Sequence, residues 1–264
     1  MKPLHITALQ LDLIWENPEA NRSQIEHLLM QENRETDLIV LPEMFTTGFT
    51  MKASANYEEM EGETEQWMKR LSRKYDALVG GSIIVKEGTD YYNRFLVVGP
   101  EGVIAEYDKR HLFRMSGEHE YYEQGEDWVW FEYKGWKIVP LICYDLRFPV
   151  WSRNRIRGDG SLACDLLLYV ANWPQKRSHH WETLLRARAI ENQCYVVGVN
   201  RVGTDGLQIP YTGNSMILDY MGEDLAYNVG DETVLQAELD PGPLNKWRSK
   251  FPIWKDADVF ELYP

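Results

Sequence analysis

A chain of 264 residues that is 44% hydrophobic can bury one large core, and no Pro- or Ser-rich linker divides it, so it reads as a single domain over 1–264. A formal charge of −13 opposes a duplex-binding surface; the nearest basic run, Arg147, Arg153, Arg155 and Arg157, reads as a solvated face, and nucleic acid is not an expected partner. No stretch approaches the roughly 20 apolar residues of a membrane helix, MKPLHITALQ lacks the apolar centre of a signal peptide, and three scattered cysteines make no disulfide framework, so the expectation is a cytoplasmic protein acting on small molecules.

In chain order, short apolar runs alternate with amphipathic segments. Residues 5–14 read as a strand, 21–35 as a helix with Ile25, Leu28, Leu29 and Glu32 at helical spacing, and 37–43 as an apolar strand broken at Pro42. Segment 63–75 places Trp67, Met68, Leu71 and Tyr75 on one helical face. Strands follow at 77–85 and 94–99, with GPEG (99–102) as a hairpin turn, and 103–113 reads as a strand running into a loop. Residues 128–143 form a hairpin turning at Lys134-Gly135, 165–172 a strand, 178–193 a helix, and 195–203, 214–220 and 233–239 the remaining strands. Strands buried on both faces next to hairpin-linked strands predict mixed sheets with helices packed outside, an α/β layered sandwich.

Three strands share a format. TDLIVLPEMF, GWKIVPLICYD and CDLLLYVANW each run through apolar residues and end in groups able to do chemistry: Glu43, Cys143 and Asn172-Trp173. Ligands gather at the carboxyl ends of strands in α/β sheets, so a carboxylate, a thiol and an amide-indole pair delivered to one rim is a sharper pattern than any one of them. A thiol at neutral pH is mostly protonated and needs a base within hydrogen-bond reach. None of the six histidines has a protease context; Glu43, a carboxylate in a dry pocket, is the alternative base.

LPEMFTTGF (41–49), YDKRHLF (107–113) and LICYDLRFP (141–149) resemble the three catalytic signatures of the nitrilase superfamily of carbon–nitrogen hydrolases, in the family's order and spacing, and ARAIENQCYVVGVNRVG (187–203) is similar to its later segment. RHLFRMSGEHEYYEQG and ANWPQKRSHHW resemble the omega-amidase branch. The resemblance implies a four-layer αββα sandwich, commonly dimeric, and a Glu-Lys-Cys triad carried by Glu43, Lys109 and Cys143. It implies a second glutamate between the Lys and Cys motifs: Glu118, seven before Gly125, with Glu120 as competitor. It also implies that Cys143 attacks an amide carbonyl, that Lys109 and the Tyr144 backbone N–H hold the oxyanion, and that a thioester forms. Trp173, Asn172 and Phe45 are expected around the substrate. The implied substrate is the ω-amide of a short 2-oxo acid, such as 2-oxoglutaramate or 2-oxosuccinamate.

Bland readings compete. A cysteine ending an apolar run is usually core; Cys164 and Cys194, without motif context, are expected to be structural. Arg147 is expected to brace the loop after Cys143, while Lys176 and Arg177 are candidates for a substrate carboxylate. His179 and His180 point about 100° apart on a helix and make a poor metal pair. No metal or dinucleotide motif occurs, so neither metal nor cofactor is expected. A nitrilase, an N-carbamoyl amidohydrolase and a non-catalytic binding module on the same fold stand as alternatives.

Overall fold

Side-chain alternation decides how the first layers stack. The computed structural model describes residues 1–32, 34–258, 260 and 262. In β1 (Leu4–Gln10), Leu4, Ile6 and Ala8 point into a core between two sheets, as do Leu38 and Val40 of β2 (Leu38–Val40). Ile39, one residue out of phase, points the other way, onto α1 (Pro18–Met30) and α3 (Glu63–Tyr75), where it meets Ile25, Leu29, Trp67, Met68 and Leu71. The same split recurs in β4 (Asp90–Gly99): Phe95 and Val97 face the second sheet, Leu96 and Val98 the helices. With β3 (Leu78–Glu87), β5 (Gly102–Asp108) and β13 (Thr233–Leu239), these strands form a six-stranded sheet in the order β13-β1-β2-β3-β4-β5, parallel from β1 to β3 and antiparallel elsewhere.

The second sheet has the order β10-β11-β9-β8-β7-β6, with a further strand on β11. Its members are β6 (Phe131–Tyr133), β7 (Trp136–Ile142), β8 (Leu166–Ala171), β9 (Tyr195–Asn200), β10 (Val202–Thr204), β11 (Pro210–Leu218) and the added β12 (Asp224–Val229). Strands β7, β8 and β9 run parallel, and β8 and β9 are buried along their whole length. Their outer face is covered by α4 (Ser178–Asn192), through Trp181, Leu185 and Ala189, and by Leu244 of α5 (Pro241–Lys250). The result is a four-layer αββα sandwich. A short helix, α2 (Ala53–Asn56), lies between β2 and α3.

Helix α3 occupies the expected 63–75. Its ends complement the macrodipole, with Glu63 and Glu65 in the first turn and Arg73 and Lys74 in the last, and Asp76 stops it in a left-handed conformation. Helix α1 starts earlier than expected because Asn17 caps the Ala20 N–H at 3.1 Å and Pro18 opens the first turn; it ends at Met30, and Asn33 of the expected 21–35 lies outside the described residues. The strand expected to run into a loop within 103–113 ends at Asp108, and the strand expected over 5–14 stops at Gln10. β12, α2 and α5 were not expected from the pattern. Among the described residues no helix is long and apolar enough to cross a membrane.

Candidate active site

Four strand ends deliver the polar groups. Beyond β2 the chain still follows β3, with Leu41 N–H donating to Gly80 O at 2.7 Å, and then turns at Met44, whose φ is 44° and whose N–H donates to Ser82 Oγ at 2.9 Å. Glu43 is thereby left fully buried. Its Oε1 accepts from Asn93 Nδ2 at 2.8 Å and Lys109 Nζ at 2.8 Å, and its Oε2 from the Asn172 N–H at 2.8 Å. Asn172 Nδ2 also donates to the Glu43 carbonyl at 2.7 Å, so the residue after β8 holds both the backbone and the side chain of Glu43, three residues past β2.

Lys109 directly follows β5. Its N–H donates to Asn93 O at 3.0 Å, and its carbonyl accepts from Gly125 N–H at 3.0 Å. A Cβ at Gly125 would sit 2.2 Å from Asp108 O, so only glycine permits this approach. Nζ, fully buried, also donates to Glu118 Oε1 at 2.9 Å and Oε2 at 3.0 Å. Glu118 Oε2 in turn accepts from Phe113 N–H at 2.5 Å. Glu118 is therefore the second glutamate of the cluster; Glu120 is exposed on the same short turn.

Cys143 leaves β7 at φ 44°, a conformation disfavoured for a residue with a Cβ, and opens a tight 3₁₀ turn through Arg147. Asp145 fixes this exit. Its buried Oδ2 accepts from Ile142 N–H at 2.9 Å and Tyr107 OH at 2.7 Å, and its Oδ1 from His111 N–H at 3.0 Å. His111 Nδ1 lies 2.8 Å from the same Oδ1, and its ring stacks on Phe148 at 3.7 Å. From α4, Arg188 donates to Leu146 O at 2.5 Å.

The electrostatics follow from burial. Burial, the nearby Glu43 charge and Glu118 push the Cys143 thiol well above its ordinary range against the pull of Lys109. Burial acts against the Lys109 charge, but Glu118 and Glu43 outweigh it and raise its pKa. Burial and the Glu43 charge raise Glu118, opposed by Lys109. The thiol is thereby held toward its protonated form, and Lys109 Nζ bridges the side chains of Glu43 and Glu118.

Cys143, 9% exposed, opens on a cavity of about 570 Å³. Tyr144, Trp173 and Asn172 line it. Trp173 is held by Asn200, whose Oδ1 accepts its N–H at 2.7 Å and whose Nδ2 donates to its carbonyl at 3.0 Å. Asn172 acts mainly on Glu43. Phe45 is not a pocket wall: past the turn at Met44 it points to the helix layer and packs on Trp67 at 5.9 Å. Phe49 lines the cavity instead. Arg147, expected to brace its loop, also lines the cavity, beside Lys176 and Arg177. Asp145 and Asn200 lie within the quoted segments but were given no role, and Asn93 lies outside them; an acidic residue two places past the nucleophile candidate was the available cue for Asp145. Cys164 and Cys194 are fully buried in the core.

A thiol, a carboxylate in contact with a buried ammonium, and an open cavity above them make a site for nucleophilic attack on a small acyl compound. The sequence agrees: residues 5–249 match the carbon-nitrogen hydrolase family, and the chain belongs to it. It is an amide-hydrolysing enzyme of the nitrilase superfamily. It is 48% identical to the omega-amidase YafV of Yersinia enterocolitica, over 99% of this chain and 100% of that one. With the 2-oxoglutaramate amidase of Bacillus subtilis (strain 168) it shares 36% identity, over 95% and 96% of the two chains. Its fold superimposes with a TM-score of 0.96 on XC1258 of Xanthomonas campestris, a CN-hydrolase superfamily protein with an arsenic adduct in its active site, at 41% identity and full coverage of both.

Proposed function

We propose that this chain is an ω-amidase that hydrolyses the terminal amide of a short 2-oxo dicarboxylic acid monoamide, such as 2-oxoglutaramate or 2-oxosuccinamate, to the diacid and ammonia. The observation that carries the chemistry is the Lys109 ammonium held at 2.8 Å from Glu43 and 2.9 Å from Glu118, buried behind the Cys143 thiol. The full-length similarity to omega-amidases and 2-oxoglutaramate amidase supports the substrate class.

In this reading Glu43 takes the thiol proton as the sulfur attacks the amide carbonyl. The transfer moves one negative charge from oxygen to sulfur and creates no new charge in the dry site, which limits its cost. Negative charge then passes to the carbonyl oxygen, where Lys109 Nζ and the Tyr144 N–H stabilise it. Glu43 returns the proton to the amide nitrogen; the carbon–nitrogen bond breaks, ammonia leaves and a Cys143 thioester remains. Glu43 next takes a proton from water, whose oxygen attacks the thioester carbon; the carbon–sulfur bond breaks and the thiol is reprotonated. Glu118 orients Lys109, Asn172 orients Glu43, and Trp173 walls the substrate. No step calls for a metal or cofactor. Three free cysteines suit a reducing, cytoplasmic setting.

The test is ammonia release measured side by side on 2-oxo acid ω-amides, glutamine, neutral amides of equal length, nitriles and N-carbamoyl amino acids, with mass spectrometry for an acyl adduct on Cys143. The 2-oxo acid ω-amides are expected to give the highest kcat/KM, and Cys143→Ala no turnover. A nitrile or N-carbamoyl compound as best substrate would refute the assignment.

A further inference from the structure

The chain carries a formal charge of −13, yet its active-site cavity has the opposite sign. Arg147, Lys176 and Arg177 line it against a single carboxylate, Asp205. That carboxylate is engaged: Oδ1 accepts from Leu207 N–H at 2.8 Å and Ile209 N–H at 2.9 Å, and Oδ2 from Tyr211 OH at 2.9 Å. Elsewhere in the molecule the buried arginines have acidic partners; Arg94, Arg188 and Arg248 each pair with a carboxylate. Among the described residues neither Arg147 nor Arg177 has one. Among the described residues the Arg147 guanidinium meets one protein acceptor, His180 Nδ1, at 3.1 Å.

Both guanidinium groups are set against aromatic faces. Arg147 lies over Trp173 at 4.7 Å and Arg177 over Phe113 at 5.4 Å. The rings are fixed in turn: Trp173 Nε1 donates to Arg177 O at 2.8 Å, and Phe113 packs edge-on against Tyr144 at 5.1 Å. A guanidinium stacked by its face keeps its edge N–H groups for a planar acceptor. The two cations also act on each other: burial, then the charge of Arg177, holds Arg147 below its ordinary range. Two like charges gathered in a cavity without a counter-ion are relieved by an anion bound to both.

From this we infer that Arg147 and Arg177 together receive the carboxylate and 2-oxo end of the substrate and thereby select 2-oxo acids over 2-amino acids. The inference rests on the ω-amidase reading and names the groups that make the selection. A carboxylate with an adjacent oxo group offers acceptors only, which matches two forks that are donors only. An α-ammonium in the place of the oxo group is a donor facing donors and a cation facing two cations. The repulsion of one unit charge by two others a few ångströms away, in surroundings of intermediate dielectric, is enough for roughly 10²-fold discrimination or more. Glutamine and asparagine are thus disfavoured at the end remote from the thiol, although their amides are the same.

Binding can be read apart from turnover. In the Cys143→Ala protein, titration calorimetry with 2-oxoglutarate and with glutamate as probes is expected to show at least roughly 10²-fold tighter binding of the oxo acid. Adding Arg147→Gln or Arg177→Gln should weaken 2-oxoglutarate roughly 10- to 100-fold, the effect of losing one charge-assisted donor pair, and shrink the preference over glutamate. Arg147→Lys, which keeps the charge and loses the fork, should fall between. Circular dichroism melts of each variant show that the fold is retained. Equal binding of the two probes, or undiminished 2-oxoglutarate binding in both glutamine variants, overturns the inference. Its failure stays separate from that of the proposed function: if the wild-type enzyme hydrolyses 2-oxo acid ω-amides best while these binding results are negative, only the arginine assignment falls.

Discussion

Cys143 sits in a left-handed backbone conformation and carries a thiol whose ionisation is opposed by burial and by Glu43. A raised thiol pKa means that the folded protein keeps the proton at pH values where the unfolded chain loses it. That contribution to stability is present below the ordinary thiol range, about 8.5, and is lost as pH rises beyond it. The same sign governs reactivity. Modification of Cys143 by a small neutral disulfide such as methyl methanethiosulfonate, followed by mass spectrometry, should be slow at neutral pH and should inflect above about 8.5; an inflection at or below that value would mean a resting thiolate. In the proposed mechanism Glu43 must therefore take the proton during attack, with Lys109 stabilising the charge that develops. Lys109→Met should lower kcat by at least the 10²–10³-fold, roughly, that follows removal of one oxyanion donor, because it also leaves Glu43 and Glu118 buried without their shared cation. A near-normal kcat in this variant would rule out the oxyanion role.

At the scale of elements, the strand exits matter more than the strands. Asp145 ties the turn after β7 to β5 through Tyr107 and to the loop after β5 through His111. Asp145→Asn replaces one acceptor oxygen by a donor among groups that all donate, so at least one buried bond is lost at a cost of about 1–3 kcal/mol. The melting temperature and kcat should fall together; an unchanged melt would show that the turn holds without the network. Helix α4 is seated by Gly198 of β9, where a Cβ would lie 2.4 Å from Leu185 Cδ1 and 3.1 Å from Trp181. Gly198→Ala should cost about 1–3 kcal/mol by overpacking, measurable by denaturant titration, and should raise KM, because α4 follows directly on Arg177. The strands, α3 and α4 were legible because their apolar periods are strong, and Glu43, Lys109 and Cys143 because each lies in a motif at a strand end. α5 was missed because PGPLNKWRSK is polar and breaker-rich, although Asp240 accepting from Gly242 N–H at 2.8 Å, with Pro241 at the first turn, is a standard helix start. Phe45 was misplaced because its side depends on the left-handed turn at Met44, which no local residue pattern announces. Arg177 was legible as a carboxylate candidate from its place just past β8, whereas Arg147, expected to brace its loop, became visible as a cavity cation only once the fold showed which charges have no partner.

At the scale of the whole molecule, the apolar side chains that one chain leaves exposed include Val150, Ile156 and Phe251. Near Ile156, Trp128, Trp151 and Trp254 wall a groove of about 700 Å³. Exposed apolar surface of this kind marks contacts with other molecules, and the family resemblance points to a second copy of the chain. Two copies of a chain with formal charge −13 repel each other, so association must rest on burial of apolar surface rather than on net charge. The two contributions respond differently to salt. Added salt screens the repulsion within about 10 Å at 0.1 M and leaves apolar burial intact. We therefore expect a homodimer or a higher homo-oligomer, with light scattering at micromolar concentration giving no less than about twice the 30.9 kDa of the single chain, and the assembly to persist or tighten as salt is raised. A mass of one chain at all concentrations would contradict the dimer. Dissociation by salt alone would mean that ion pairs, and not apolar contacts, hold the copies together.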